Sequence, residues 1–167
     1  MVDLIHVHED DWGMRVLYPA VAEFEILADM KAGAAAAANA RDPSGVGWTE
    51  IQRIKQPSTT YADVGLRVGD AARVLESAMP RVRRFYATAS GGFGDARRDP
   101  YGSYDDDAWC FGFGEYCYVK IDVVGERIEQ IWFDLSTSDP ASVSALRRSF
   151  EALDSLVSTV RPTTFNR

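Results

Sequence analysis

The stretch WCFGFGEYCYVKIDV, from Trp109 to Val123, decides the fold class of this chain. Its large apolar side chains occupy odd positions: Trp109, Phe111, Phe113, Cys117, Val119, Ile121 and Val123. Because alternate residues of an extended chain point to opposite faces, this period of two predicts a half-buried β-strand. The alternation favours one long strand with a glycine bulge over a hairpin that turns at residues 113–114. A single strand places the thiols of Cys110 and Cys117 on opposite faces, where they do not form a disulfide.

The next segment predicts an antiparallel partner for this strand. The sequence Gly125-Glu126-Arg127 is a turn signal followed by further apolar residues. A three-residue loop here sets Ile121 opposite Ile131, and it also sets Val119 opposite Phe133. We expect this bulged hairpin, because a two-residue loop would slip the register and separate the apolar faces.

Two amphipathic helices are predicted, one near each end of the chain. The C-terminal helix has Asp139 as its N-cap, Pro140 in its first turn and Pro162 as its stop. Its apolar positions repeat at spacings of three and four: Val143, Leu146, Phe150, Leu153, Val157 and Val160. The N-terminal helix is expected from Pro19 to about residue 40, with an apolar stripe of Val21, Phe24, Leu27 and Met30 or Lys31. Each stripe is expected to cover one face of a sheet.

Shorter elements complete the predicted fold. Residues 3–8, 48–54 and 82–88 read as further strands, and Asp70 is the predicted N-cap of a helix that ends near Ala78. The sequence therefore predicts a single α+β domain over residues 1–167. Its sheet is expected to be largely antiparallel and covered by the N-terminal and C-terminal helices.

Charge and composition narrow the choice of partners. The chain has 167 residues and a net charge of −7, which disfavours nucleic acid and anionic membranes. It has no run of about 20 apolar residues that could cross a membrane. The start of the sequence lacks the pattern of a secretory signal, so a cytoplasmic location is expected. An acidic surface favours a protein partner with a basic surface.

Motifs for catalysis or cofactor binding are weak. His6 and His8 share one face of a predicted strand and precede Glu9-Asp10-Asp11, so a site of two histidines and one carboxylate is arithmetically possible. The chain has no other histidine, and we expect neither a metal nor a cofactor. The cluster Gly91-Gly92-Phe93-Gly94 lacks the ending of a P-loop, although Arg97 and Arg98 follow it. We expect no catalytic residues and favour a protein that is not an enzyme.

The predicted binding site is an acidic, aromatic loop just before the decisive stretch. Its residues are Tyr101, Tyr104, Asp105, Asp106 and Asp107. Aromatic anchors beside negative charges are well suited to a basic protein surface. Arg81, Arg83 and Arg84 form either a separate positive patch or pairing partners for these acids. Because the loop is expected to be exposed, replacing Asp105 and Asp106 by lysine is expected to abolish partner binding without changing stability.

The stretch Tyr101-Gly102-Ser103-Tyr104-Asp105-Asp106-Asp107-Ala108-Trp109, together with the α+β layout, resembles bacterial immunity proteins in general character. The resemblance implies a small cytoplasmic domain that occludes the active site of a cognate toxin and has no turnover of its own. Two alternatives are an export chaperone of secretion-system type, which would dimerise through its C-terminal helix, and a small metal-dependent enzyme that uses His6 and His8. The sequence leaves the oligomeric state open.

Overall fold

The computed structural model describes residues 2–8, 15–39, 57–88 and 102–160. These residues form three helices and nine strands, and they confirm the predicted α+β class. The strands are β1 (Leu4–His8), β2 (Arg15–Pro19), β3 (Arg81–Val82), β4 (Arg84–Thr88), β5 (Ser103–Asp105), β6 (Trp109–Gly114), β7 (Cys117–Val124), β8 (Arg127–Leu135) and β9 (Thr159–Val160). The helices are α1 (Glu23–Asn39), which follows a 3-10 turn at Ala20–Ala22, α2 (Val68–Glu76) and α3 (Pro140–Leu156).

The described strands form two sheets that are antiparallel except at one pairing. The larger sheet has the order β3-β6-β7-β8-β2-β9. The smaller sheet has the order β1-β4-β5, in which β1 and β4 run parallel. None of the helices in the described ranges is long and apolar enough to cross a membrane.

The core lies on both faces of the larger sheet. On one face, α2 and α3 pack over the strands, and the buried side chains include Leu75, Phe111, Ile131, Phe150 and Leu153. On the other face, Ile5 and Phe85 of the smaller sheet pack with Cys110 and Tyr118 of the larger sheet. Because the smaller sheet packs on this face, β5 and the acidic residues that follow it lie close to β6 and β7.

The decisive stretch forms a hairpin, so the prediction of a single long strand is wrong. The chain turns at Glu115 and Tyr116, between β6 and β7. Trp109 pairs with Ile121 and Phe111 with Val119, so odd positions on both strands share one face. The apolar alternation therefore keeps its phase through the turn, and period two cannot distinguish the two arrangements.

The predicted glycine irregularity is present, and the prediction for the cysteines is confirmed. The register shifts between Gly112 and Gly114. Cys110 lies opposite Lys120, and Cys117 lies opposite Gly114. Both thiols are buried in separate core clusters on opposite faces of the sheet, and they form no disulfide.

The register of the second hairpin is as predicted. Ile121 pairs with Ile131, and Val119 pairs with Phe133. The loop contains only residues 125–126, however, and a register shift between Asp122 and Val123 takes up the difference. Gly125 has a φ of 63°, a conformation that favours glycine in a tight turn.

The described helices agree with the sequence in position but differ at their ends. Pro19, the predicted first residue of the N-terminal helix, is instead the last residue of strand β2, and α1 begins at Glu23. Asp139 caps α3, and its carboxylate accepts a hydrogen bond from the Ser142 amide at 2.8 Å, as predicted. The helix ends at Leu156, and Val160 instead pairs with Tyr18 in the β2–β9 ladder. Helix α2 begins two residues before Asp70, so this residue lies in the first turn and the prediction that it is the N-cap is wrong.

Three residues of the apolar stripe predicted for the N-terminal helix are exposed rather than buried, whereas Met30 is partly buried. Val21 is 70% exposed, Phe24 is 87% exposed and Leu27 is 50% exposed. The buried residues are Ala22 in the 3-10 turn and Ile26 in α1, which pack with Tyr18. The strand predicted at residues 48–54 lies outside the described residues.

Candidate functional site

The predicted acidic loop is in part a strand, because Tyr104 and Asp105 lie on β5 at the edge of the smaller sheet. Strand β5 pairs with β4, so that Tyr104 lies opposite Tyr86 and Asp105 opposite Phe85. Asp106 and Asp107 form the turn between β5 and the buried Ala108. The structure therefore brings together four of the five predicted site residues. Tyr101 lies outside the described residues.

Tyr104 has an aromatic partner that fixes its position. Its ring centroid is 5.2 Å from that of Tyr86, and the two planes meet at 82°. This edge-to-face geometry is a favourable arrangement for two aromatic rings. Tyr104 is only partly buried, so part of its surface is available to a partner.

Asp105 belongs to an internal ion-pair network. One carboxylate oxygen lies 3.8 Å from Nζ of Lys120, whose side chain is only 13% exposed. Lys120 also pairs with Asp122, which accepts a hydrogen bond from the Trp132 indole. The network connects the smaller sheet with the larger one, because Asp105 is on β5 and Lys120 is on β7. The expectation that Asp105 can be replaced by lysine without loss of stability is therefore not supported by this geometry.

Asp106 and Asp107 face the solvent but are held in place. The Tyr86 hydroxyl donates a hydrogen bond to Oδ1 of Asp106 at 2.6 Å. Oδ1 of Asp107 lies 3.5 Å from a terminal nitrogen of Arg81, and the Asp107 side chain is 83% exposed. Carboxylates in these positions can accept hydrogen bonds from an arginine or lysine of another molecule. We call Tyr104, Asp106 and Asp107 the acidic surface.

The nearby arginines serve mainly as pairing partners. The Arg81 guanidinium pairs with Asp107 and also lies 4.1 Å from the centroid of the Trp109 ring, a cation–π distance. Arg84 pairs with Asp3 at the start of the chain. Arg83 is exposed. For Arg81, the interpretation that it pairs with an acid of this loop is thus the correct one.

His6 and His8 lie on β1, as predicted. His6 Nε2 is 3.1 Å from the Thr88 hydroxyl on the neighbouring strand β4. Within the described ranges, no three histidine, cysteine, aspartate or glutamate side chains are grouped closely enough to hold a metal ion. The acidic residues at positions 9–11 lie outside the described residues.

The cysteines have the environment of structural thiols. Burial raises the pKa of the Cys110 thiol to about 12. Burial also raises the pKa of Cys117, whose Sγ lies 3.6 Å from the Ser142 carbonyl oxygen. A thiol that stays protonated is a weak nucleophile. The glycine cluster at 91–94 and the arginines at 97 and 98 lie outside the described residues.

Two features of the molecule that bear on function were not predicted from its sequence. The first is the exposed stripe of Val21, Phe24 and Leu27, because its spacing resembles that of a buried helix face. The second is the role of Lys120 beneath the acidic loop. The sequence does contain an indication of this role, because Lys120 and Asp122 are two residues apart and therefore lie on the same face of a strand.

Comparison of the chain with protein-family models, curated proteins and solved structures found no match in any of the three.

Proposed function

We propose that this protein is a non-catalytic binding domain that neutralises a cognate bacterial toxin, as immunity proteins do. The partner surface is basic, and the acidic surface of Tyr104, Asp106 and Asp107 contacts it, together with the preceding Tyr101. The observation that carries the proposal is the fixed presentation of two exposed carboxylates next to an aromatic ring that is itself held by another ring.

Preorganisation is the physical reason that this surface can bind tightly. Side chains that are ordered only on binding cost about 0.5–1.5 kcal/mol each. Tyr86 and Arg81 already position Asp106 and Asp107 in the isolated protein, which reduces this cost. A basic partner would also be attracted over a longer range by the net charge of −7.

We propose different roles for the three acids of the loop, because they differ in exposure and in their partners. Asp106 and Asp107 are exposed and contact the partner. Asp105 forms an ion pair with Lys120 and stabilises the position of the loop. A variant that tests binding should therefore change Asp106 and Asp107 and leave Asp105 intact.

The experiment is a capture of partners from a lysate of the native cell with the tagged protein, followed by co-expression of each captured partner. The proposal expects one stoichiometric partner that is toxic when expressed alone and harmless when expressed with this protein. The Asp106→Lys, Asp107→Lys double variant should lose this protection. A captured partner whose toxicity is neutralised equally well by the double variant would contradict the assignment of the surface.

The exposed apolar stripe, which runs from the 3-10 turn into α1, favours a second candidate, the export chaperone. Val21, Phe24 and Leu27 could hold an apolar segment of a client protein, whereas the apolar side chains of α3, such as Leu146 and Leu153, are buried in the chain's own core. For this candidate, Phe24→Ser would abolish partner capture and the double lysine variant would not. The same capture experiment, made with both variants, distinguishes the two functions.

A further inference from the structure

A cavity of about 850 Å³ lies between residues 62–69, which lead into α2, and the hairpin turn at residues 125–127. Among its described lining residues, Arg67 and Arg127 are basic and Glu126 is acidic, so the wall has an excess of positive charge. The cavity shares no lining residue with the acidic surface, and a ligand bound there does not depend on the proposed function.

The two arginines are available to a ligand. Both side chains are exposed. Within the described ranges, neither guanidinium forms an ion pair or a side-chain hydrogen bond. Three other arginines of this acidic chain are each paired with an aspartate: Arg73, Arg81 and Arg84. A guanidinium without an acidic partner can form strong bidentate hydrogen bonds with an anion.

The acid next to the cavity wall, Asp63, already has its own donors. Its carboxylate accepts hydrogen bonds from the amide and the hydroxyl of Thr60 at 2.7 and 2.8 Å. These bonds lower the pKa of Asp63, and the positive charge of Arg127 acts in the same direction. Arg127, at the start of β8, is thus close enough to act on the loop before α2 but forms no ion pair there. Its charge therefore lies at the cavity between these two segments.

An aromatic ring lies on the wall of the same cavity. Trp109 of β6 is partly buried, and the Arg81 guanidinium, 4.1 Å from the ring centroid, holds the ring in place. Leu66 and Val123 add apolar surface to the wall. Binding sites for small organic molecules combine such apolar walls with a few charged groups.

Size and donor count indicate the class of ligand. A volume of about 850 Å³ is within the range of about 300–1,000 Å³ that is typical of sites for small organic molecules. One guanidinium is enough for the two oxygens of a carboxylate, whereas the three terminal oxygens of a phosphate monoester can accept hydrogen bonds from two. We propose that the cavity binds a phosphate monoester with a flat apolar body. Arg67 and Arg127 hold the phosphate, and the body lies against Trp109.

The test compares three probes on the full chain: phenyl phosphate, phenol and inorganic phosphate. Binding is followed by NMR titration of the backbone amide signals of Gly65 and Gly125 and of the Trp109 indole signal. We expect phenyl phosphate to bind at least about tenfold more tightly than either of the others. Phenol lacks the charge-assisted hydrogen bonds, and inorganic phosphate lacks the contact with the ring.

Substitutions show whether the two arginines hold the phosphate. Arg67→Gln and Arg127→Gln should each weaken phenyl phosphate binding about tenfold or more and leave phenol binding unchanged. The matched control is Arg148→Gln, which makes the same change in net charge at an exposed position of α3 and should change the affinity less than about twofold.

Three results would overturn the proposal. They are equal affinity of phenyl phosphate and phenol for the wild-type protein, no shift of the cavity signals with phenyl phosphate, or an equal loss of affinity in all three arginine variants. The last result would mean that phenyl phosphate responds only to the overall charge of the protein. If an arginine variant does not fold, the comparison of the probes on the wild-type protein still decides whether the cavity prefers an aryl phosphate.

Discussion

Replacing Lys120 by methionine is the most informative test of how the acidic loop is supported. The Lys120 side chain is 13% exposed, and it lies between Asp105, which is 44% exposed, and Asp122, which is 30% exposed. Methionine keeps the length and the apolar stem but removes the charge. Two carboxylates then remain close together without the ammonium group that separates them.

The size of the effect follows from these exposures. Removing one partner of a fully buried ion pair costs about 3–5 kcal/mol, whereas an exposed pair contributes about 0–1 kcal/mol. Both carboxylates here are partly exposed and can recover some hydration. We therefore expect Lys120→Met to lower the free energy of unfolding by about 2–3 kcal/mol, an intermediate value.

Urea denaturation measures this difference directly, with thermal unfolding as a second readout. For a chain of this size, the expected loss lowers the melting temperature by about 4–12 °C. Lys31→Met is the control, because Lys31 is exposed on α1 and its removal should change the stability by less than about 0.5 kcal/mol. A loss below about 1 kcal/mol for Lys120→Met would refute the reasoning, since the network would then behave as an ordinary surface pair.

Three further predictions concern the sheet, the thiols and a buried acid. Gly112→Ala should destabilise the protein by about 1–3 kcal/mol in urea denaturation, because the new Cβ would lie 2.5 Å from the Cys117 carbonyl oxygen, and an unchanged midpoint would contradict the close approach. In the folded protein, Cys110 and Cys117 should react with a thiol reagent at pH 8 only as fast as the protein unfolds, and rapid labelling of either would contradict their burial. Burial raises the pKa of Asp134 in the folded state, so this residue should make the protein less stable as the pH rises from 3.8 through that raised pKa. Asp134→Asn should remove this component, and a stability–pH curve identical to that of the wild type would rule it out.

Local patterns predicted the pairing of β7 with β8 and the cap of α3 because these features depend on neighbouring residues. The apolar positions Ile121 and Ile131 leave one register that buries both faces, and Asp139 followed by Pro140 is a strong helix start. The turn between β6 and β7 was missed because its two strands preserve the same alternation. Period alone contains no information about where an extended chain reverses.

The sequence placed the candidate residues next to one another, but it did not predict that their environments differ. Three adjacent aspartates look equivalent in the sequence, yet Asp105 pairs inward with Lys120 while Asp106 and Asp107 remain exposed. That difference arises from the contact between the two sheets, which a local sequence pattern does not predict. The prediction that the apolar stripe of the N-terminal helix is buried was wrong for a related reason. Val21, Phe24 and Leu27 have the spacing of a core face, but the chain buries Ile26 instead.

The central claim is that Asp106 and Asp107 form the partner-binding surface. The most direct measurement is the affinity of the captured partner for two variants with the same change in charge, Asp106→Lys with Asp107→Lys and Glu76→Lys with Glu151→Lys. Glu76 and Glu151 are exposed on α2 and α3, which pack on the face of the larger sheet opposite to the smaller sheet and its acidic residues. We predict a loss of at least about a hundredfold for the first variant and less than about threefold for the second, because charge reversal within an interface costs several kcal/mol and distant charges act only through weak steering. Equal losses in the two variants, or none in the first, would contradict the claim.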